Sequence, residues 1–309
     1  MEEILKSNCG NYIKSIVTPI TPYLLCSHYF STEIYKKNVK YVGGDITQLF
    51  TNGTIPNDLY KNKNFDKIKE GDIVQVQVDL FTLFISDILP KISCKIIIFT
   101  SQWHLPQLHK NEITDKCLED EKIILWISQN PIYENHNKYM AFPYGICHNT
   151  VNVYMNYMKE NYNDIIDINT KDTVCYNSNY VRHGHLPKDH IRMHPIFNNT
   201  NHHLPYYKYL NRIIKSKFTI STSGDRDDCY RHYECIGLNS IPISNINYKE
   251  IFGNNMIYSD IDEIVQIITG EKEMVCYKID NNILTTNYWR NKIRDKIVDQ
   301  QINTNIIFA

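Results

Sequence analysis

No Cys-X-X-Cys pair occurs in this chain of 309 residues, no Gly-X-Gly-X-X-Gly follows a predicted strand, and no Gly-X4-Gly-Lys-Ser/Thr is present. With its nine cysteines scattered singly, the first absence points to reduced thiols rather than a disulfide framework or a zinc site. The other two exclude the common dinucleotide and P-loop signatures. No apolar run approaches the roughly 18 residues that a membrane helix needs. The start, "MEEILKSNCGNYIKS", lacks a basic stretch leading into an apolar one, so it does not read as a signal peptide. A cytoplasmic location is expected. A net charge of −1 argues against a general nucleic-acid or anionic-membrane binder, so any anion must be caught by a local cluster.

Hydrophobic residues make up 42% and charged residues 22%, as in ordinary folded domains, and the length suits two domains of about 150 residues each. The excess of Ile, Asn, Lys and Tyr is the bias of an AT-rich coding sequence and carries no functional weight. "DIVQVQVDLF" (72–81) alternates Val74, Val76 and Val78 with polar residues and predicts a half-exposed strand. "FTLFISDILPKI" has helical spacing with a proline stop. "CKIIIFTSQW" and "IILWISQN" are continuous apolar runs with polar tips, the pattern of buried parallel strands separated by the charged segment 110–122. The stretch 136–146, with Pro143 and Gly145, reads as a loop, and 151–162 as a helix.

The same rhythm restarts near residue 165 with "DTVCYNSNYVRHG", a strand and turn. An amphipathic helix over 205–217 follows, with Tyr209, Leu210, Ile213 and Ile214 on one face. "NMIYSD" predicts a further strand, and helices are expected after Asp260 and over 286–298. The expectation is an α/β protein with mostly parallel sheets.

One stretch gathers hydrogen-bonding groups at the tip of a strand: "FTISTSGDRDDCYRHYECIGLNSIPIS" (218–244). In open α/β sheets ligands sit outside the carboxyl ends of strands, and a helix N-terminus there favours phosphate. Gly224 is expected to allow a tight turn, and Ser221 and Ser223 either cap it or face a ligand. Arg226 and Arg231 are candidate clamps for anionic oxygens, unless Arg226 pairs with its aspartate neighbours. Glu234 shares a helix face with Arg231 and is a candidate acceptor for a ribose diol, the alternative being a surface ion pair. The combination reads as a nucleotide-diphosphate pocket without a P-loop.

This stretch resembles the C-terminal signature of exostosin-like glycosyltransferases. The matching residues are Tyr206 or Tyr209, Leu210, Ser216-Lys217-Phe218, Gly224, Arg231, Glu234, and Ile241-Pro242; Asn239-Ser240 departs from the family's Gly-Cys or Gly-Ser. The similarity covers about 206–258, with a weaker likeness in "WISQNP" and "HNKYMAFPYGI". The resemblance implies a GT-B fold, two Rossmann-like domains facing each other across a cleft. The expected bounds are 1–155 for the acceptor-side domain, 156–285 for the nucleotide-sugar domain, and 286–309 for a helix returning to the first. It implies transfer of a sugar from a nucleoside diphosphate donor, UDP favoured, to a hydroxyl of a glycan or glycoconjugate, with no required metal or other cofactor.

A family-like phosphate role falls on Arg182, in a turn after a strand. Direct displacement needs a base for the acceptor hydroxyl, and Asp79 and His104 are the candidates. "SQWHLPQ" has no Asp where related sequences carry one, which leaves a binding protein without catalysis as an alternative. The cluster of His183, His185, His190 and His194 raises a metal-dependent hydrolase as another, although Pro187 and Pro195 bracket it and no partner motif accompanies it.

Overall fold

In the computed structural model the described residues are 4–5, 12–31, 47–48, 67–101, 107–165, 171–177, 194–197, 204–224, 226–244, 246, 248–258, 260–272 and 279–299. The chain forms two compact units, Ile13–Pro143 with Thr286–Ala309, and Tyr144–Thr285 with Met1–Tyr12. Both are α/β, and every strand pairing among the described residues is parallel.

The first unit is built on β1 (His28–Phe30), β2 (Thr47–Gln48), β3 (Ile73–Gln77), β4 (Ile96–Ser101), β5 (Ile123–Ser128) and β6 (Tyr139–Ala141), in the order β2-β1-β3-β4-β5-β6. β3 was expected to be half exposed, yet all five of its residues are buried. As an inner strand it has both faces covered, and its polar side chains are satisfied internally. The Gln75 amide donates to Ser101 Oγ at 3.0 Å and the Gln77 amide to Asp79 Oδ2 at 2.9 Å. The segment 136–146 is likewise more than a loop, because it holds the short edge strand β6, whose register with β5 starts at Trp126 and Tyr139.

Trp126 is fully buried, stacked on Phe81 at 4.9 Å, with its indole N–H donated to Thr100 Oγ1 at 2.9 Å. The charged segment 110–122 folds as the helix Glu112–Glu119. Its start is fixed by a capping box in which Asn111 accepts from the Thr114 backbone and Thr114 from the Asn111 backbone. The helix Thr286–Val298 completes this unit. It is tied by Thr286 N–H to the Ser15 carbonyl, by Lys296 Nζ to the His136 carbonyl, and by Trp289 packed on Phe142 at 5.4 Å.

The second unit has a parallel sheet of β7 (Thr173–Asn177), β8 (Ser216–Ile220) and β9 (Ile241–Ile243), ordered β7-β8-β9. "NMIYSD" contributes only an isolated parallel bridge, Ile257 to Ile243, in place of a full strand. The amphipathic helix forms over Tyr206–Ile214 with Leu210, Ile213 and Ile214 buried, and Asp260 caps the helix Ile261–Thr269 by accepting from Glu263 N–H. Lys171 donates to the Ile214 and Leu238 carbonyls at 2.6 and 3.0 Å, so one ammonium serves the ends of two helices, and burial lowers its pKa to about 8.

The units divide between 143 and 144 instead of 155 and 156. Residues 144–155 are bonded to later parts of the second unit: Tyr144 N–H to Asp228 Oδ2 at 2.8 Å, and the Tyr154 hydroxyl to the Glu234 carbonyl at 2.9 Å. No helix among the described residues is long and apolar enough to cross a membrane.

Candidate functional site

The polar stretch after β8 lies at the carboxyl edge of the second unit's sheet. β8 ends at Ile220, and Ser221 continues it by one more bond, its N–H to the Ile243 carbonyl at 2.8 Å. The chain then turns through 222–229 into the helix Tyr230–Gly237, with Cys229 at the N-cap in extended conformation. Parallel strands bring their carboxyl ends to one edge, so Ser221, Ser244 and Tyr258, each just beyond a strand or bridge, share that edge.

His232 organises the turn from beneath and is fully buried. Its Nε2 lies 3.0 Å from the Asp227 carbonyl, which can only accept, so Nε2 carries the proton and Nδ1 accepts from the Ser221 hydroxyl at 2.8 Å. Burial keeps the imidazole neutral, lowering its pKa to about 4. Cys229 Sγ sits 3.4 Å from Nε2 and donates weakly to the Thr222 carbonyl, and burial pushes its thiol pKa up. Ser221 thus supports the turn through the imidazole and is itself fully buried.

Arg226 and Arg231 are the cations of this edge. The Arg226 guanidinium lies over the Tyr144 ring at 4.5 Å, and Tyr144 stacks on Tyr230 at 5.1 Å. Arg231 Nη1 donates to the Thr222 carbonyl at 3.4 Å and makes no ion pair with Glu234 within the usual distance. Ser223 is buried.

Two expected roles change on the geometry. Gly224 does not use a conformation reserved for glycine: it is not among the residues of positive φ, and an added Cβ would meet only Cys229 Cβ at 3.7 Å. The turn is closed by hydrogen bonds instead, including Gly224 N–H to the Arg226 carbonyl at 2.9 Å. Glu234 is not an open acceptor or a surface ion-pair partner. Its two carboxylate oxygens take the Tyr206 and Tyr209 hydroxyls, each at 2.8 Å, and burial raises its pKa.

Asp228, one of the aspartate neighbours of Arg226, is the more notable carboxylate. It is buried, and its Oδ2 accepts from Tyr144 N–H at 2.8 Å and from the Tyr233 hydroxyl at 2.6 Å. Desolvation raises its pKa to about 6, against the opposing pull of His232 and the two hydrogen bonds. In the sequence it is one of several aspartates in "GDRDD", and only long-range contacts distinguish it. Asp227 faces the Tyr248 hydroxyl at 3.2 Å.

Asp79 lies in the first unit, exposed in the turn that follows β3, where it accepts from Gln77. His104 and Arg182 lie outside the described residues, as do His183, His185 and His190. Among the described residues no group of three His, Cys, Asp or Glu side chains is gathered as for a metal ion.

No protein-family model matches the chain, and no curated protein matches it. What the edge can do therefore rests on its own chemistry. It gathers two guanidinium groups, Ser223 and a helix start, a set suited to the oxygens of a phosphorylated ligand.

Proposed function

We propose that this chain is a glycosyltransferase of GT-B type that takes a nucleoside diphosphate sugar, UDP before GDP, at the carboxyl edge of the β7–β9 sheet. It passes the sugar to a hydroxyl of a glycan or glycoconjugate. The observation that carries the reading is the placement of Arg226, Arg231, Thr222 and Ser223 around the turn between β8 and the helix Tyr230–Gly237. The resemblance of 206–258 to the exostosin-like signature, and the presence of two α/β units with parallel sheets, support it.

In this mechanism the acceptor hydroxyl displaces the nucleoside diphosphate at the anomeric carbon. Negative charge develops on the leaving phosphate, and Arg226, Arg231 and the backbone N–H groups at the helix start neutralise it. Asp79 and His104 are the proposed bases for the acceptor proton, and Arg182 a further phosphate contact.

The test is thermal stability of the purified protein with UDP-, GDP-, CMP- and dTDP-sugars, with and without EDTA. A ligand that binds the native state raises stability by mass action. A base-selective shift that is insensitive to EDTA and lost in Arg231→Ala is the expected result. No shift with any nucleotide sugar at millimolar concentration refutes the reading.

A further inference from the structure

Two buried carboxylates lie in the polar segment 226–237, and their hydrogen bonding differs. Each Glu234 oxygen holds a tyrosine hydroxyl. Asp228 has both of its donors, Tyr144 N–H and the Tyr233 hydroxyl, on Oδ2. Its Oδ1 is enclosed and has no hydrogen-bond partner, although the residue is only 2% exposed. The Thr222 and Tyr258 hydroxyls are likewise enclosed and without a partner.

These three oxygens belong to one end of the fold. Thr222 stands two residues beyond β8, and Tyr258 directly follows Ile257, which bridges to β9. The Asp228 charge acts on the Tyr258 hydroxyl, adding to the burial that raises its pKa. A carboxylate oxygen sealed from water with no donor is a feature that folds rarely retain without a ligand or an ordered water to complete it.

We infer that Asp228, rather than Glu234, is the carboxylate of this edge that a ligand completes, and that its Oδ1 receives a sugar hydroxyl of the bound donor beside the Tyr258 hydroxyl. The inference rests on the glycosyl-donor reading above. The chemistry selects a hydroxyl because that group both donates and accepts, matching an acceptor-only oxygen whose charge reaches the Tyr258 hydroxyl. A phosphate oxygen would be repelled by the carboxylate, and the cations that suit phosphate, Arg226 and Arg231, lie on the turn and the helix that follows.

The experiment is calorimetric titration of the full chain, as wild type, Asp228→Asn and Tyr258→Phe. The probes are UDP and GDP, and the glucose, galactose and N-acetylglucosamine conjugates of each. Asp228→Asn keeps an oxygen for Tyr144 N–H and puts an amide donor where the bare oxygen stands. The expected result is that both variants bind the free diphosphate as wild type does and the sugar nucleotide about tenfold to a hundredfold more weakly. Equal affinity of wild type and variants for the sugar nucleotide overturns the inference and leaves the donor reading intact. Equal losses for diphosphate and sugar nucleotide also overturn it, since they place Asp228 away from the sugar. A water bridging Asp228 and Tyr258 that persists in a crystal of the sugar-nucleotide complex does the same. Failure of the wild type to bind any probe overturns the donor reading and this inference together. Should Asp228→Asn fail to fold, Tyr258→Phe carries the comparison.

Discussion

The Ser221 hydroxyl donates to Nδ1 of His232 across 2.8 Å, at the point where β8 turns toward the helix that carries the imidazole. With Nε2–H held by the Asp227 carbonyl, the neutral ring has one tautomer, and a second proton on Nδ1 would reverse the Ser221 bond.

Burial of this imidazole gives stability a definite dependence on pH. Burial holds the His232 pKa near 4 in the native state, below its ordinary value of 6.5. Between those values the unfolded chain binds a proton that the native chain does not, so stability falls as pH drops from about 6.5 towards 4. Asp228 acts in the opposite sense, since its native pKa of about 6 exceeds the ordinary 3.8 and acidification through that window favours the native state. Urea unfolding of His232→Gln is expected to show a weaker acid loss than wild type, and Asp228→Asn a steeper one.

Gly237 is sterically constrained where Gly224 is not. A Cβ on Gly237 would fall well inside contact distance of the Tyr154 hydroxyl and 2.9 Å from Leu284 Cδ1. Tyr154 is fully buried and bonded to the Glu234 carbonyl, so it has nowhere to retreat. Gly237→Ala is expected to cost about 2–3 kcal/mol by overpacking, whereas Gly224→Ala is expected to stay within about 0.5 kcal/mol of wild type. Chemical denaturation of the two variants side by side measures the contrast.

The buried Glu234 carboxylate and its two half-buried tyrosines form one hydrogen-bonded group. Replacing both Tyr206 and Tyr209 by Phe leaves the carboxylate without its two hydroxyl donors and is expected to cost about 3–5 kcal/mol, more than the sum of the single changes. A double-mutant cycle read by denaturation supplies the coupling. Additive single losses would show that Glu234 finds other partners.

Much of the layered architecture is legible in the sequence because it is written in local pattern. The runs around Ile96–Ser101 and Ile123–Ser128 are long, apolar and bounded by polar tips, and they are strands buried along their whole length. Gln75 is misread because alternation alone cannot tell a polar side chain in water from one bonded to Ser101 inside the sheet. β1 and β6 have three residues each, too short for any periodicity to reveal. At the candidate site the polar turn is legible, but the partners that separate Asp228 from Glu234 are not. The Asp228 contact to Tyr144 spans 84 positions, and the tyrosines that occupy Glu234 arrive from 25 and 28 positions earlier.

The central claim, that a sugar nucleotide sits at the carboxyl edge of the β7–β9 sheet, is tested most directly by amide hydrogen exchange with and without saturating nucleotide sugar. The account predicts slowed exchange in peptides covering 221–231, with the effect abolished in Arg231→Ala. Saturation of the protein with no change in those peptides would contradict it.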